Sequence, residues 1–434
     1  MPAPLPNPLA LTSEAFALAS TALHLRGGRL AALARYSAAF RNGIVSDTLA
    51  PVDIAPIARI QRSDSPEGEV IKFTQRVPRT SAAPHSDVAP SMPAPASLSL
   101  PITDAPPLST ALTRSIEIAS DFLEIESVLI PMIGRTQTRG YTLCLSSQVG
   151  CAMGCTFCQT AQMGLIRSLT AAEIVGQWFA AQHLVDRTTA PGPISNIVFM
   201  GMGEPMDNLD SVIAAIEILT DRRGPSLAMS RITVSTVGRL DGIARLGARV
   251  RTTGWHRLGL AISLNAPSDA ARSAIMPINR AMPLRPLRAA LLDWPYFAGA
   301  HLCLEYVLIP GVNDSPRHAL ELGAFYHGEA SPINERFAPD AHSPALLANY
   351  AALPDSARFP GPRLRALVNL IPYNPRENSP WPAPDESRVE EFLAALISLG
   401  VIAKRRRTKG RAQMAACGQL GNLQFKKPKR AASV

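Results

Sequence analysis

Most of the chain alternates between two kinds of hydrophobic period. From about residue 113 onward, short apolar runs of strand character (TLCLS, NIVFMG, RITVST, LGLAISLNA, HLCLEYVLI, ALVNLIPYN) are separated by stretches whose apolar residues recur every three or four positions. Those stretches predict helices over 171–187, 209–221, 239–247, 284–293, 316–327 and 386–399. Such alternation argues for an α/β fold in which a parallel sheet or barrel carries helices on its outside. The residues following each strand then gather at one edge, where such sheets bind ligands. Periodicity alone does not separate a partial barrel from a doubly wound sheet.

The flanks have different patterns. Residues 1–79 hold two helical stretches, LTSEAFALASTALHL and GRLAALARYSAAF, and a strand-like EGEVIKFTQRV. They read as a small N-terminal accessory domain, or as a helical cap on the core. Residues 80–112 are rich in Pro, Ala and Ser without a period and read as a linker. The catalytic domain is expected over 113–422. It is interrupted at 329–362 by a Pro-rich insert too long for an ordinary loop, and is followed by a basic tail at 423–434.

Composition adds limits to this picture. At 434 residues and 47% hydrophobic, the chain can bury a large core. The formal charge of +9 suits attraction to phosphates without establishing it. The N-terminus has no basic region before its apolar part, and no apolar run approaches the length of a membrane span, so a cytoplasmic protein without membrane contact is expected. Four of the six cysteines crowd into Tyr141–Gln159, YTLCLSSQVGCAMGCTFCQ, which points to metal or redox chemistry in a reducing compartment.

Cys151, Cys155 and Cys158 form C-x3-C-x2-C. Three soft thiolates on one short loop can hold three irons of a [4Fe-4S] cluster and leave the fourth open to a small molecule. A zinc knuckle is the alternative, but zinc asks for further Cys or His ligands nearby, and the nearest histidine is His183. GMGEP follows the strand NIVFM, so backbone groups and one carboxylate are available to an ammonium group. Ser235, Ser263, Leu264, Asn265 and Asn374 each follow an apolar strand; taken singly, each is an ordinary strand end. Cys417 is a lone cysteine after a basic run, Lys404 to Arg411, which binds RNA phosphates or is a solvated face. A lone cysteine is most often a buried small hydrophobe, although nearby cations would favour its thiolate. Glu126 reads as a surface carboxylate on a strand, and Cys303 as core.

The three-cysteine loop resembles the signature of radical S-adenosylmethionine (SAM) enzymes. The longer strings CLSSQVGCAMGCTFCQTAQMG and AACGQL resemble the RlmN/Cfr family of radical-SAM RNA methyltransferases, over roughly residues 122–422. The resemblance implies a partial (β/α)6 barrel with a [4Fe-4S] cluster on Cys151, Cys155 and Cys158. It implies SAM contacts from Gly203, Glu204, Ser235, Ser263, Leu264, Asn265 (where histidine is common) and Asn374. Cys417 matches the methyl-carrying cysteine, Cys144 the cysteine that resolves the covalent intermediate by forming a disulfide with it, and Glu126 the proton acceptor. Such enzymes are needed because C2 and C8 of adenine are electrophilic carbons that cannot attack a methyl donor directly. Two SAM are used per turnover, one to methylate the cysteine and one to generate the radical that activates the S-methyl group.

The expected function is methylation of adenine C2 in 23S rRNA, with tRNA as a second substrate, by a monomer served by an external donor such as a flavodoxin or ferredoxin. C8 methylation, as in Cfr-like members, is the enzymatic alternative. A degenerate RNA-binding homologue would need neither Cys144 nor Cys417. The chain departs from the family where KGRAQM replaces a usually acidic segment, in its N-terminal domain and in both Pro-rich segments.

Overall fold

The structure, a computed structural model, describes residues 5–43, 52–80, 121–134, 139–188, 191–328, 362–406, 410 and 414–425. The expected linker and Pro-rich insert therefore lie almost wholly outside the described residues, as do 407–409, 411–413 and the tail beyond 425.

The chain opens with α1 (Ser13–Ala22) and α2 (Gly28–Asn42), then β1 (Ile57–Ser65), β2 (Gly68–Pro78), β3 (Phe122–Ile133) and β4 (Arg139–Cys144). The three-cysteine loop follows, flanked by the two short strands β5 (Gln148–Val149) and β6 (Arg167–Ser168), with α3 (Gln159–Met163) between them. Then come α4 (Ala171–Phe179), β7 (Ile194–Phe199), α5 (Leu209–Thr220), β8 (Ile232–Thr236), α6 (Leu240–Val250), β9 (Gly259–Ser263), α7 (Asp269–Ile275) and α8 (Leu284–Leu292). The chain ends with β10 (Leu302–Leu308), α9 (Pro316–His327), β11 (Leu367–Pro372), α10 (Glu386–Ser398) and β12 (Ala403–Arg405).

Ten strands form one sheet in the order β1-β2-β3-β4-β7-β8-β9-β10-β11-β12. From β4 to β12 all neighbours are parallel, and six strands each followed by helix give the open (β/α)6 barrel. The strands are apolar runs because both faces are covered: all five residues of β8 are buried. Helix α6 covers the outside with one face only. In α6, Ile243, Leu246 and Val250 are buried, while Arg245 and Arg249 between them reach Asp210 and Glu217 of α5. Local chemistry starts the helices, as at α4, where Thr170 Oγ1 accepts from Glu173 N and Glu173 Oε2 accepts from Thr170 N.

The N-terminal segment joins this body in two ways. Helices α1 and α2 pack through Phe16, Tyr36 and Phe40, and Phe40 continues the cluster to Trp178 of α4, 6.2 Å away. Hairpin β1–β2 extends the barrel sheet through antiparallel β3. The helix expected over 171–187 ends at Phe179 and passes into a wider π turn over Ala180–Leu184, which sets the His183 ring against α2. There His183 Nε2 lies 2.9 Å from Phe40 O.

Register places one row of side chains across the antiparallel half and onto the first parallel pair. Lys72 on β2 is level with Val128 on β3, Val128 with Cys144 on β4, and Cys144 with Val198 on β7.

Candidate active site

Cys151, Cys155 and Cys158 line one cavity at the C-terminal edge of the parallel strands. The loop closes on itself so tightly that a Cβ on Gly150 (φ 77°) would fall 1.8 Å from Gly164 O, so only glycine fits there. Neighbouring elements fix its middle: Thr156 N donates to Ile275 O at 2.9 Å, and Arg376 Nε donates to Thr156 O at 2.9 Å. Burial and mutual repulsion push the thiols up, Cys151 to about 12 and Cys155 well above the ordinary range. Buried thiols of this kind ionise at neutral pH when a metal takes the charge. Among the described residues no three His, Cys, Asp or Glu groups converge as for a single ion. Three thiols lining one cavity suit a cluster in which each cysteine binds its own iron.

The same cavity is lined by Gly203, Glu204, Ser235, Ser263 and Asn265. Gly203 has φ 101°, and a Cβ there would lie 2.5 Å from that of Gln148. The turn is locked by Glu204 N donating to Gln148 Oε1 at 2.9 Å. Glu204 is buried, and its two oxygens accept from Val237 N (2.9 Å) and Met206 N (3.1 Å). Desolvation nevertheless wins over these bonds and lifts its carboxyl to about 7. A cationic ligand beside it would draw the proton off.

Cys417 opens onto this cavity and also onto a second one, lined by Cys144, Val128, Ile130, Val198, Asn369, Glu305 and Arg406 among others. Cys144 is buried; burial and the charge of Cys417 push its thiol up to about 12, against the pull of the Arg406 guanidinium. The two cysteines, 144 and 417 in the chain, thus face one space.

A Radical SAM superfamily model matches residues 145–322. The probable dual-specificity RNA methyltransferase RlmN 1 of Protochlamydia amoebophila is 42% identical over 309 residues, 71% of this chain and 73% of that protein. The chain belongs to the RlmN/Cfr family of radical-SAM RNA methyltransferases. The dual-specificity RNA methyltransferase RlmN of Syntrophotalea carbinolica, at 39% over 305 residues, covers 70% of this chain and 68% of its own length. A radical SAM methyltransferase from Sphaerobacter thermophilus superposes with a TM-score of 0.69 at 30% identity, over 95% of this chain and 98% of that one. Membership in the RlmN/Cfr family implies SAM and an iron–sulfur cluster.

The remaining RlmN/Cfr positions are distributed unevenly. Leu264 is core, and its carbonyl accepts from Arg272 Nε at 2.9 Å. Asn265 adopts φ 57° and its Oδ1 accepts from Val307 N at 3.0 Å, so this side chain braces β10 as well as lining the cavity. Asn374 lines the second cavity, not the cluster side. Glu126 shares the face of β3 that carries Val128 and Ile130, one step below them, and is ion-paired with Lys72 at 2.9 Å. It is therefore buried, not the surface carboxylate its strand position suggests. Cys303, expected in the core, is half-buried on the Glu305 face of β10. Of the basic run, Arg405 pairs with Glu386 and Glu390 of α10, whereas Arg406 turns inward.

Glu305, Asn369 and Arg272 are site residues that sequence reasoning missed, and Arg406 was read only as one member of the basic run. Asn369 Nδ2 donates to both Glu305 oxygens at 3.2 and 3.1 Å, and Arg406 lies 3.9 Å from Glu305. Buried Arg272 ties Leu264 O and Ser263 O to Asn279, shaping the end of β9. One signal was readable: the lone acid in HLCLEYVLI sits two residues from Cys303, on the same face of a buried strand.

Proposed function

We propose that the chain methylates C2 of adenine in 23S rRNA, and in tRNA, through a methyl carried on Cys417. The observation that carries this reading is that Cys417 opens onto both cavities, one lined by the three cluster cysteines and the other by Cys144. A [4Fe-4S] cluster on Cys151, Cys155 and Cys158, with SAM bound, supplies one-electron chemistry and the methyl group. The protein's own part is positional and acid–base. Glu204 and the Gly203 turn receive the amino-acid end of SAM, with Ser235, Ser263 and Asn265 around it.

The second cavity takes the base, between the apolar row Val128, Ile130 and Val198 and the polar group of Asn369 and Glu305. When the Cys417 methyl, less one hydrogen atom, bonds to the ring carbon, the ring gives up one proton, which Glu126 beneath that row accepts, and one electron, which the cluster would take up. Cys144 then attacks the Cys417 sulfur: an S–S bond forms, the S–CH2 bond breaks, and the electron pair leaves with the methylene, which a proton completes to methyl. An external flavodoxin or ferredoxin supplies electrons, and the chain works as a monomer.

Nucleoside mass spectrometry tests this on RNA incubated with reconstituted protein, SAM and reductant. The reading expects 2-methyladenosine; 8-methyladenosine, or no methylated adenosine at all, would overturn it.

A further inference from the structure

The segment that carries Cys417 is suspended at both ends from the paired antiparallel strands β2 and β3. Lys72 Nζ donates to Met414 O at 3.2 Å, and Gly421 N donates to Glu126 Oε2 at 3.0 Å. Lys72 and Glu126 are themselves ion-paired at 2.9 Å, with side chains 8% and 5% exposed. One buried ion pair thus spans a segment with Cys417 near its middle.

Two further features show that this suspension holds the segment in place. Met414 has φ 51°, a left-handed conformation that a long side chain avoids unless its surroundings impose it, and its carbonyl is the one Lys72 grips. On the opposite side the segment is tied to the residues just after the last cluster cysteine, with Gln159 N donating to Gly418 O at 2.7 Å. The loop is stretched between the cluster side and strands β2 and β3. Lys72 is level with Val128, which is level with Cys144, so the clamp and the second thiol share one rigid sheet.

We propose that the Lys72–Glu126 pair is a positioning clamp that sets the height of Cys417 over Cys144, and so governs how readily the two thiols join. Lys72 acts on the two thiols through the loop backbone. The inference deepens the reading above but needs no RNA to test, so a wrong assignment of the methylated base would leave it standing.

The test is the thiol–disulfide equilibrium of the reconstituted, cluster-loaded chain with glutathione under anaerobic conditions. Cys144 and Cys417 thiols plus oxidised glutathione give the protein disulfide and two glutathione thiols, with electrons balanced. The Cys144–Cys417 peptide is quantified by mass spectrometry. The clamp expects Lys72→Met to lower the effective concentration of the pair about tenfold or more, with Lys72→Arg restoring most of it. Iron content and the alkylation rate of Cys303, a thiol of the same barrel without the clamp, should stay unchanged. An unaltered equilibrium in Lys72→Met would overturn the proposal, as would a loss matched by faster Cys303 alkylation, which signals general loosening. Should Lys72→Met fail to load cluster, Glu126→Asp shortens the clamp without removing its charge; a reduced equilibrium supports the clamp and an unchanged one rejects it.

Discussion

Cys417 stands between two half-sites built in opposite ways. The cluster side is local: three cysteines within eight residues, held by backbone approaches so close that a Cβ on Gly150 or Gly203 cannot be accommodated. The thiol side is assembled from Lys72, Glu126, Cys144, Glu305, Asn369 and Arg406, and is held by ion pairs and strand register. Backbone fit makes the first half all-or-none, because a displaced loop loses its ligands together. Charge and register make the second half adjustable, since each contact contributes a graded amount.

The sharpest way to break this contrast is at the cluster. Cys155→Ala should remove iron and drop methylated product by about 10⁶-fold or more, the low end of enzymatic acceleration. Retained iron with retained product would show that the loop is not all-or-none.

Next comes Glu204, on the same side but titratable. Burial lifts its carboxyl from the ordinary 4.5 to about 7, so the folded chain keeps a proton that the unfolded chain has released. Its contribution to stability is therefore full below pH 4.5 and is lost as pH rises through about 7. Denaturant titrations should show ligand-free wild type losing about 3 kcal/mol relative to Glu204→Gln across that window. Parallel pH profiles would remove Glu204 as a buried titrating group.

On the thiol side the expected steps are smaller. Arg406→Met should slow Cys144–Cys417 disulfide formation at neutral pH by about tenfold, the worth of one charge contact near a thiolate. The sign follows from Arg406 pulling the Cys144 thiol down against burial. A faster reaction in this variant would reverse the assignment. Smallest is Asp210→Asn, outside both half-sites: its partner Arg245 is 57% exposed and Asp210 87%, so melting should change by less than about 0.5 kcal/mol.

The same contrast decides how much could be read from the sequence. Helix 316–327 was legible from its apolar period, and the structure shows why its start is sharp: Ser315 caps it and Pro316 opens it. The cluster loop was legible because its residues are neighbours in the chain. Strand β1 was not, since Ile57–Ser65 is polar and exposed along most of its length and lacks the alternation that marks a half-buried strand. Arg406 was hidden inside a run of like charges, where nothing local tells the inward residue from Arg405 beside it. Lys72 and Glu126 lie in different segments, and only strand register makes them diagonal neighbours. Asn374 follows its strand as the SAM-contacting pattern expects, yet it faces the second cavity, because a strand end has two sides and spacing does not choose between them.

The most direct test of the account is the fate of RNA on a protein that lacks the second thiol. With Cys144→Ala, reconstituted and supplied with SAM, reductant and ribosomal RNA, the account predicts protein covalently attached to RNA, with the nucleotide mapped by mass spectrometry to the Cys417 peptide. Free methylated RNA released at the wild-type rate, or no adduct on a cluster-loaded variant, would contradict it.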